Sequence, residues 1–357
     1  MPQHARPRAR PHIGRRVVQA VTALAVVGAV TGFALSQTTG APVRSHGVSL
    51  DAGRGPASHP RAPAPTTTTT APAPTTTVTT RPPAPAGAPY AVTDQTLTLF
   101  DPTRPTPARG SVPESTGRSL RTVIRRPAGL AGPLPLIVFA HGYDTEPETY
   151  EPILDAWAAA GYLVAAPECP GSAHNPPGTP VADYAAQARD LSFVITSLLG
   201  GGAGRVSAGQ IVVAGHSDGG TAVTILALNA DYTDGRIKAY MNFAGQIPPD
   251  VPGPWGNVPV PGALLVAVGD NDQYGNLSLS TQAYDAANMP KALVTVPGGD
   301  HLGTFIASTP TAAAVRAATV RFLGVVVGSP GNGFTGAQLA AALEGGGSQP
   351  FAVASAG

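Results

Sequence analysis

Cysteine is nearly absent from this chain. Among 357 residues there is one, Cys169, which excludes an intrachain disulfide and any cysteine-based metal cluster. Charge is scarce too: 12% of residues are charged and the formal net charge is +1, which gives no reason to expect a nucleic-acid partner. The arginines that do cluster, Arg6, Arg8, Arg10, Arg15 and Arg16, lead into an apolar run. Apolar residues are plentiful, at 43%, so that one domain of ordinary size can bury a sizeable core.

The basic start and the apolar run at 17–35 read as an export signal, with residues 1–37 either a cleaved signal peptide or a retained membrane anchor. Both readings leave the arginines inside and place the rest outside the cytoplasm, secreted or tied to the membrane. No cysteine follows the run to carry a lipid. Residues 38–89 are dominated by proline, alanine and threonine, including the threonine run at 66–70, and bury too little apolar surface to order themselves. Held extended at about 3.1 Å per residue, such a linker reaches on the order of 150 Å and suits association with a cell envelope.

A different pattern begins at residue 90. Short apolar runs at 134–140 (LPLIVFA), 162–166, 210–214, 237–243, 263–268 and 292–296 read as buried strands. Amphipathic stretches at 148–160, 181–199, 221–229, 277–287 and 311–323 separate them as helices. This alternation predicts an α/β domain over 90–328, a mostly parallel central sheet with helices on both faces. The first strands, 92–100 and 120–125, lack an intervening helix and predict an antiparallel N-terminal edge. Residues 329–357 form a glycine-rich tail with one short helix near 338–343, expected to be dispensable for chemistry.

The chemistry concentrates at Gly215-His216-Ser217-Asp218-Gly219. A strand ends just before it and a helix begins just after it. Glycines at both ends permit the sharp turn that exposes a nucleophilic serine, Ser217, at the carboxyl edge of the sheet. A serine needs a base, and the base an orienting carboxylate. His301 follows the last core strand in a glycine-bearing loop; His174 competes but lies before the serine. Gly269-Asp270-Asn271-Asp272 follows the preceding strand and offers two acids. Asp270 suits a turn-forming role. Backbone amides of Tyr143, in His141-Gly142-Tyr143, and of Asp218 are the candidate oxyanion donors. His141 reads as a structural loop residue.

The runs at 136–143, 161–167 and 215–217 resemble the α/β-hydrolase fold, in its dienelactone-hydrolase-like group. The nearest likeness is to the polyester hydrolases (cutinases), chlorophyllases and platelet-activating-factor acetylhydrolases. The G-x-x-D pattern of that family is what prefers Asp272 as the catalytic acid. The order Ser217, Asp272, His301 is that of the fold. The resemblance implies a serine esterase with no metal or organic cofactor, acting through an acyl-enzyme on a small-molecule or polymeric carboxylic ester. It also implies that the Tyr143 ring lines the acyl site. Two features depart from the polyester hydrolases: Asp218 stands where methionine is usual, and no disulfide can form near the base. The segment 245–262 is the longest candidate lid, so no large cap is expected. Its Trp255 is a candidate for the acyl pocket, with packing against its own loop as the alternative. The rival functions are an exported acyltransferase on the same triad and a non-catalytic envelope-binding protein that retains the fold.

Overall fold

The computed structural model describes residues 89–256, 258, 262–274, 277–329, 331 and 333–357. The expected signal and the linker up to residue 88 lie outside the described residues. Nine strands form one sheet: β1 (Val92–Asp101), β2 (Arg118–Pro127), β3 (Leu134–Ala140), β4 (Leu163–Pro167), β5 (Val206–His216), β6 (Ile237–Phe243), β7 (Ala263–Gly269), β8 (Lys291–Val296) and β9 (Ala352–Ala356). The order across the sheet is β1-β2-β4-β3-β5-β6-β7-β8-β9. Strands β3 to β8 run parallel, while β1 and β2 pair antiparallel with each other and β2 pairs antiparallel with β4. This is the α/β-hydrolase fold, with the antiparallel N-terminal edge expected from the sequence.

The central strands are apolar throughout because both faces are covered. Along β3, Ile137 and Phe139 point into one core while Leu136, Val138 and Ala140 point into the other. Helices α1 (Glu151–Ala159), α5 (Gly303–Ile306), α6 (Pro310–Gly328) and α7 (Gly336–Glu344) cover the first face, through Trp157, Phe305, Phe322 and Leu339. Helices α2 (Tyr184–Leu199), α3 (Asp218–Leu228) and α4 (Leu277–Ala286) cover the second, through Leu191, Val223 and Ala283. Every residue of α3 from Gly219 to Leu228 is buried, so α3 shows no amphipathic stripe. The elements that carry the site are thus held in the middle of the molecule, not on its margin.

The domain does not end at residue 328. Thr335 and Gln338 form a reciprocal capping box at the start of α7, and Gly345 closes its end in the left-handed conformation at φ 64°. The chain then returns as β9, antiparallel to β8. Phe334, Leu339, Leu343 and Phe351 are buried in the same core as Phe322. The glycine-rich tail is therefore part of the fold. It completes the sheet next to the strand that leads into the His301 loop. Between β6 and β7 the described residues form no helix or strand, in keeping with the absence of a large cap.

Candidate active site

Ser217 occupies the turn between β5 and α3 with φ 56° and ψ −117°, a backbone state that non-glycine residues adopt only when their surroundings enforce it. Two hydrogen bonds enforce it: the Ser217 amide donates to the Phe243 carbonyl at 2.9 Å, and the Ser217 carbonyl accepts from the Thr221 amide at 2.8 Å. The flanking glycines are steric necessities. A methyl group on Gly219 would overlap the carbonyl of Ala140 at the end of β3, and one on Gly215 would overlap the carbonyl of Gly219. Asp144 and Ala244, the other described non-glycine residues with positive φ, follow the ends of β3 and β6. Backbone strain is gathered at the carboxyl edge of the sheet, where ligand sites of open α/β folds lie.

The loops after β7 and β8 meet at the same edge. His301 Nδ1 lies 2.7 Å from Asp272 Oδ2, and the Asp272 side chain is fully shielded from solvent. Its other oxygen accepts from the Tyr274 amide at 2.8 Å. Asp270 is turned elsewhere, its Oδ1 accepting from the Gly298 amide, so it shapes the turn beneath the His301 loop. Of the two acids left open by the sequence, Asp272 is the one that reaches the histidine. His301 in turn packs against the residue that precedes Ser217: its ring centroid lies 4.5 Å from that of His216.

A chain of hydrogen bonds ties these loops to the one after β3. His216 is buried; desolvation first, and the nearby charge of His301 second, push its pKa down to about 3, so the ring is neutral. Its Nε2 lies 2.7 Å from the His301 carbonyl, which can only accept, so Nε2 carries the proton. Its Nδ1 must then accept, and it takes the Tyr150 hydroxyl proton at 2.8 Å. The Tyr150 oxygen accepts the Gly142 amide at 3.1 Å. Burial raises the Tyr150 hydroxyl to about 12, which keeps it protonated and able to donate. His141 anchors the same loop from behind: its Nδ1–H donates to the Gly142 carbonyl at 2.8 Å and its Nε2 accepts the Cys169 amide at 2.9 Å. The Gly142 amide is thus committed to Tyr150, and that of Asp144 to the Ser172 carbonyl at 2.8 Å. Tyr143 stands between them.

Ser217, Asp272, His301 and Tyr143 therefore sit on loops at one end of the sheet, and Asp218 opens α3 at the same end. Tyr143 is 45% exposed and donates its hydroxyl to the Pro180 carbonyl at 2.9 Å, closing one side of the rim. Trp255 does not join them. It pairs with Asn229 just beyond the last turn of α3 and donates its indole N–H to Val251 at 3.1 Å. The length of α3 sets it on the order of 16 Å from Ser217. It is the loop-packed tryptophan of the two readings, bound to its own loop and to Asn229. Tyr150 and the His301 carbonyl were missed from the sequence. Tyr150 opens an amphipathic helix and looks like any core aromatic, and a carbonyl carries no sequence signal.

The match to known families covers the first half of this site. No curated protein matches the chain. The chlorophyllase family model matches residues 109–247, which include the loop after β3 and the whole turn at Ser217, and stop before Asp272 and His301. That match covers less than half of the chain and marks this segment as similar to the chlorophyllases; together with the sheet order and the helices on its two faces it agrees with the α/β-hydrolase fold.

Proposed function

We propose that the chain is an exported serine esterase that cleaves a carboxylic ester through an acyl-enzyme on Ser217. The observation that carries the reading is the 2.7 Å contact between His301 and Asp272, at the edge of the sheet where Ser217 is held in its strained turn. Asp272 fixes the proton on Nδ1 of His301 and leaves Nε2 to take the Ser217 proton as the hydroxyl attacks the ester carbonyl. The amides of Tyr143 and Asp218 stabilise the oxyanion. Asp218 opens α3, where amides lack intrahelical partners, and Tyr143 lies between two amides already committed. Collapse expels the alcohol, which takes its proton from His301, and water activated by the same ring releases the acid. The N-terminal signal and linker would place this chemistry outside the cytoplasm, free or tethered at the envelope. Turnover of p-nitrophenyl butyrate, with Ser217→Ala as the control, tests the reading; equal rates in the two proteins would refute it.

A further inference from the structure

The carboxyl group beside the nucleophile lacks the arginine that holds several other shielded carboxylates of this domain. Asp190 and Asp183 are held by Arg118, Asp101 by Arg104, and Asp234 by Arg236. Asp218 Oδ2 is closed off from solvent and accepts no hydrogen bond, and no described Lys or Arg forms an ion pair with this group. The titratable groups that act on it electrostatically are already committed. The Tyr150 hydroxyl is donated to His216, the Tyr184 hydroxyl to Asp250, and His301 Nδ1 to Asp272. Asp183, the remaining charge that acts on it, repels it and is itself paired with Arg118.

We infer that Asp218 is a specificity residue, whose carboxylate receives a hydrogen-bond donor, a hydroxyl or an ammonium, carried by the substrate within three or four bonds of the scissile carbonyl. This rests on the esterase reading, because covalent attachment to Ser217 is what brings that part of a substrate beside the next residue of the chain. A site with a shielded, unpaired acceptor penalises substrates that leave it unpaired. It discriminates more strongly than an apolar pocket separates chains differing by one methylene. Burial foremost, opposed by His301 and reinforced by Asp183, raises the carboxyl to about 6. The group is ionised at pH 8 and largely neutral at pH 5, so a preference for an ammonium should fade between the two.

The test compares kcat/KM within pairs of esters. p-Nitrophenyl 3-hydroxybutyrate and 3-aminobutyrate are set against p-nitrophenyl butyrate, and 2-hydroxyethyl butyrate against ethyl butyrate. The expected result for the wild-type protein at pH 8 is at least a tenfold preference for one donor-bearing member. Asp218→Leu should abolish it. Asp218→Asn, which keeps the shape should the leucine variant not fold, should retain a hydroxyl preference and lose an ammonium preference. An ammonium preference should also fall at least fivefold at pH 5 in the wild-type protein; because each ratio is taken at one pH, titration of the base cancels. No donor-bearing ester exceeding its plain counterpart, or a preference that survives Asp218→Leu, would overturn the inference. Failure of the esterase reading looks different: plain butyrate would be left intact by the wild-type protein, or cleaved equally by Ser217→Ala.

Discussion

Replacing Tyr150 by phenylalanine removes a single oxygen and tests whether the chain of contacts between the two catalytic loops has consequences. The ring is 1% exposed and packs on Phe139 at a centroid distance of 4.8 Å, so its shape and burial survive the change. What is lost is the acceptor for the Gly142 amide and the donor to His216 Nδ1. Two buried polar groups are then left unpaired, at about 1–3 kcal/mol each, and partial relaxation makes a net destabilisation of about 2–4 kcal/mol reasonable. Activity should suffer separately, because the Gly142 amide adjoins Tyr143 and His216 holds the carbonyl of His301. Loss of one well-placed oxyanion donor costs about 10²–10³ in kcat. Loosening its neighbour should cost less, about 10–100-fold, with KM nearly unchanged. Urea denaturation and steady-state kinetics on p-nitrophenyl butyrate give the two numbers. A variant within 0.5 kcal/mol (about the scatter of neutral surface changes) and within twofold in kcat would refute the coupling.

Other consequences follow from the same geometry. Asp272→Asn should lower kcat by about 10³–10⁴-fold, since the amide favours the wrong tautomer of His301, while Asp270→Asn should change it by less than about tenfold; similar losses in both would reverse the assignment of the acid. Deleting residues 329–357 removes Phe334, Leu339, Leu343 and Phe351 from the core, uncovers the apolar surface they cover around Phe322, and opens the edge of β8. At about 1.5–3 kcal/mol per side chain the loss rivals the whole stability of a domain, so the shortened chain should not give a cooperative melt by circular dichroism. The Asp218 carboxyl, raised to about 6 in the fold, binds a proton more tightly folded than unfolded, and its contribution to stability is lost as pH climbs from about 4 to 6. Asp218→Asn should therefore stabilise the protein on the order of 2 kcal/mol at pH 8 and hardly at pH 4; a gain of equal size at both pH values would show that titration is not the cause.

The parts of this protein that were legible in its sequence are those set by local pattern. Continuous apolar runs mark strands covered on both faces, and Gly215 to Gly219 marks a turn that no larger residue fits, so β3 to β8 and the position of Ser217 could be read directly. Asp270 and Asp272 were two residues apart and chemically alike; only the fold shows one turning to Gly298 and the other to His301. The short helix in the tail could be read, but its strand, AVASA, could not, because it is built of small residues. Its place is decided by the exposed edge of β8 and the apolar faces of α6 and α7, contacts that no periodicity within the tail reveals. Trp255 could not be decided between its two readings from the sequence. A large side chain in a proline-rich loop suggested a pocket wall, whereas backbone pairing with Asn229 fixes it at the far end of α3.

The most direct measurement is covalent labelling by a fluorophosphonate probe, followed by peptide mass spectrometry. The expected result is one modified residue, Ser217, with labelling abolished by Ser217→Ala and strongly slowed by replacing His301. Modification at another residue, or an unlabelled wild-type protein that still cleaves p-nitrophenyl butyrate, would contradict the assignment of Ser217 as the nucleophile.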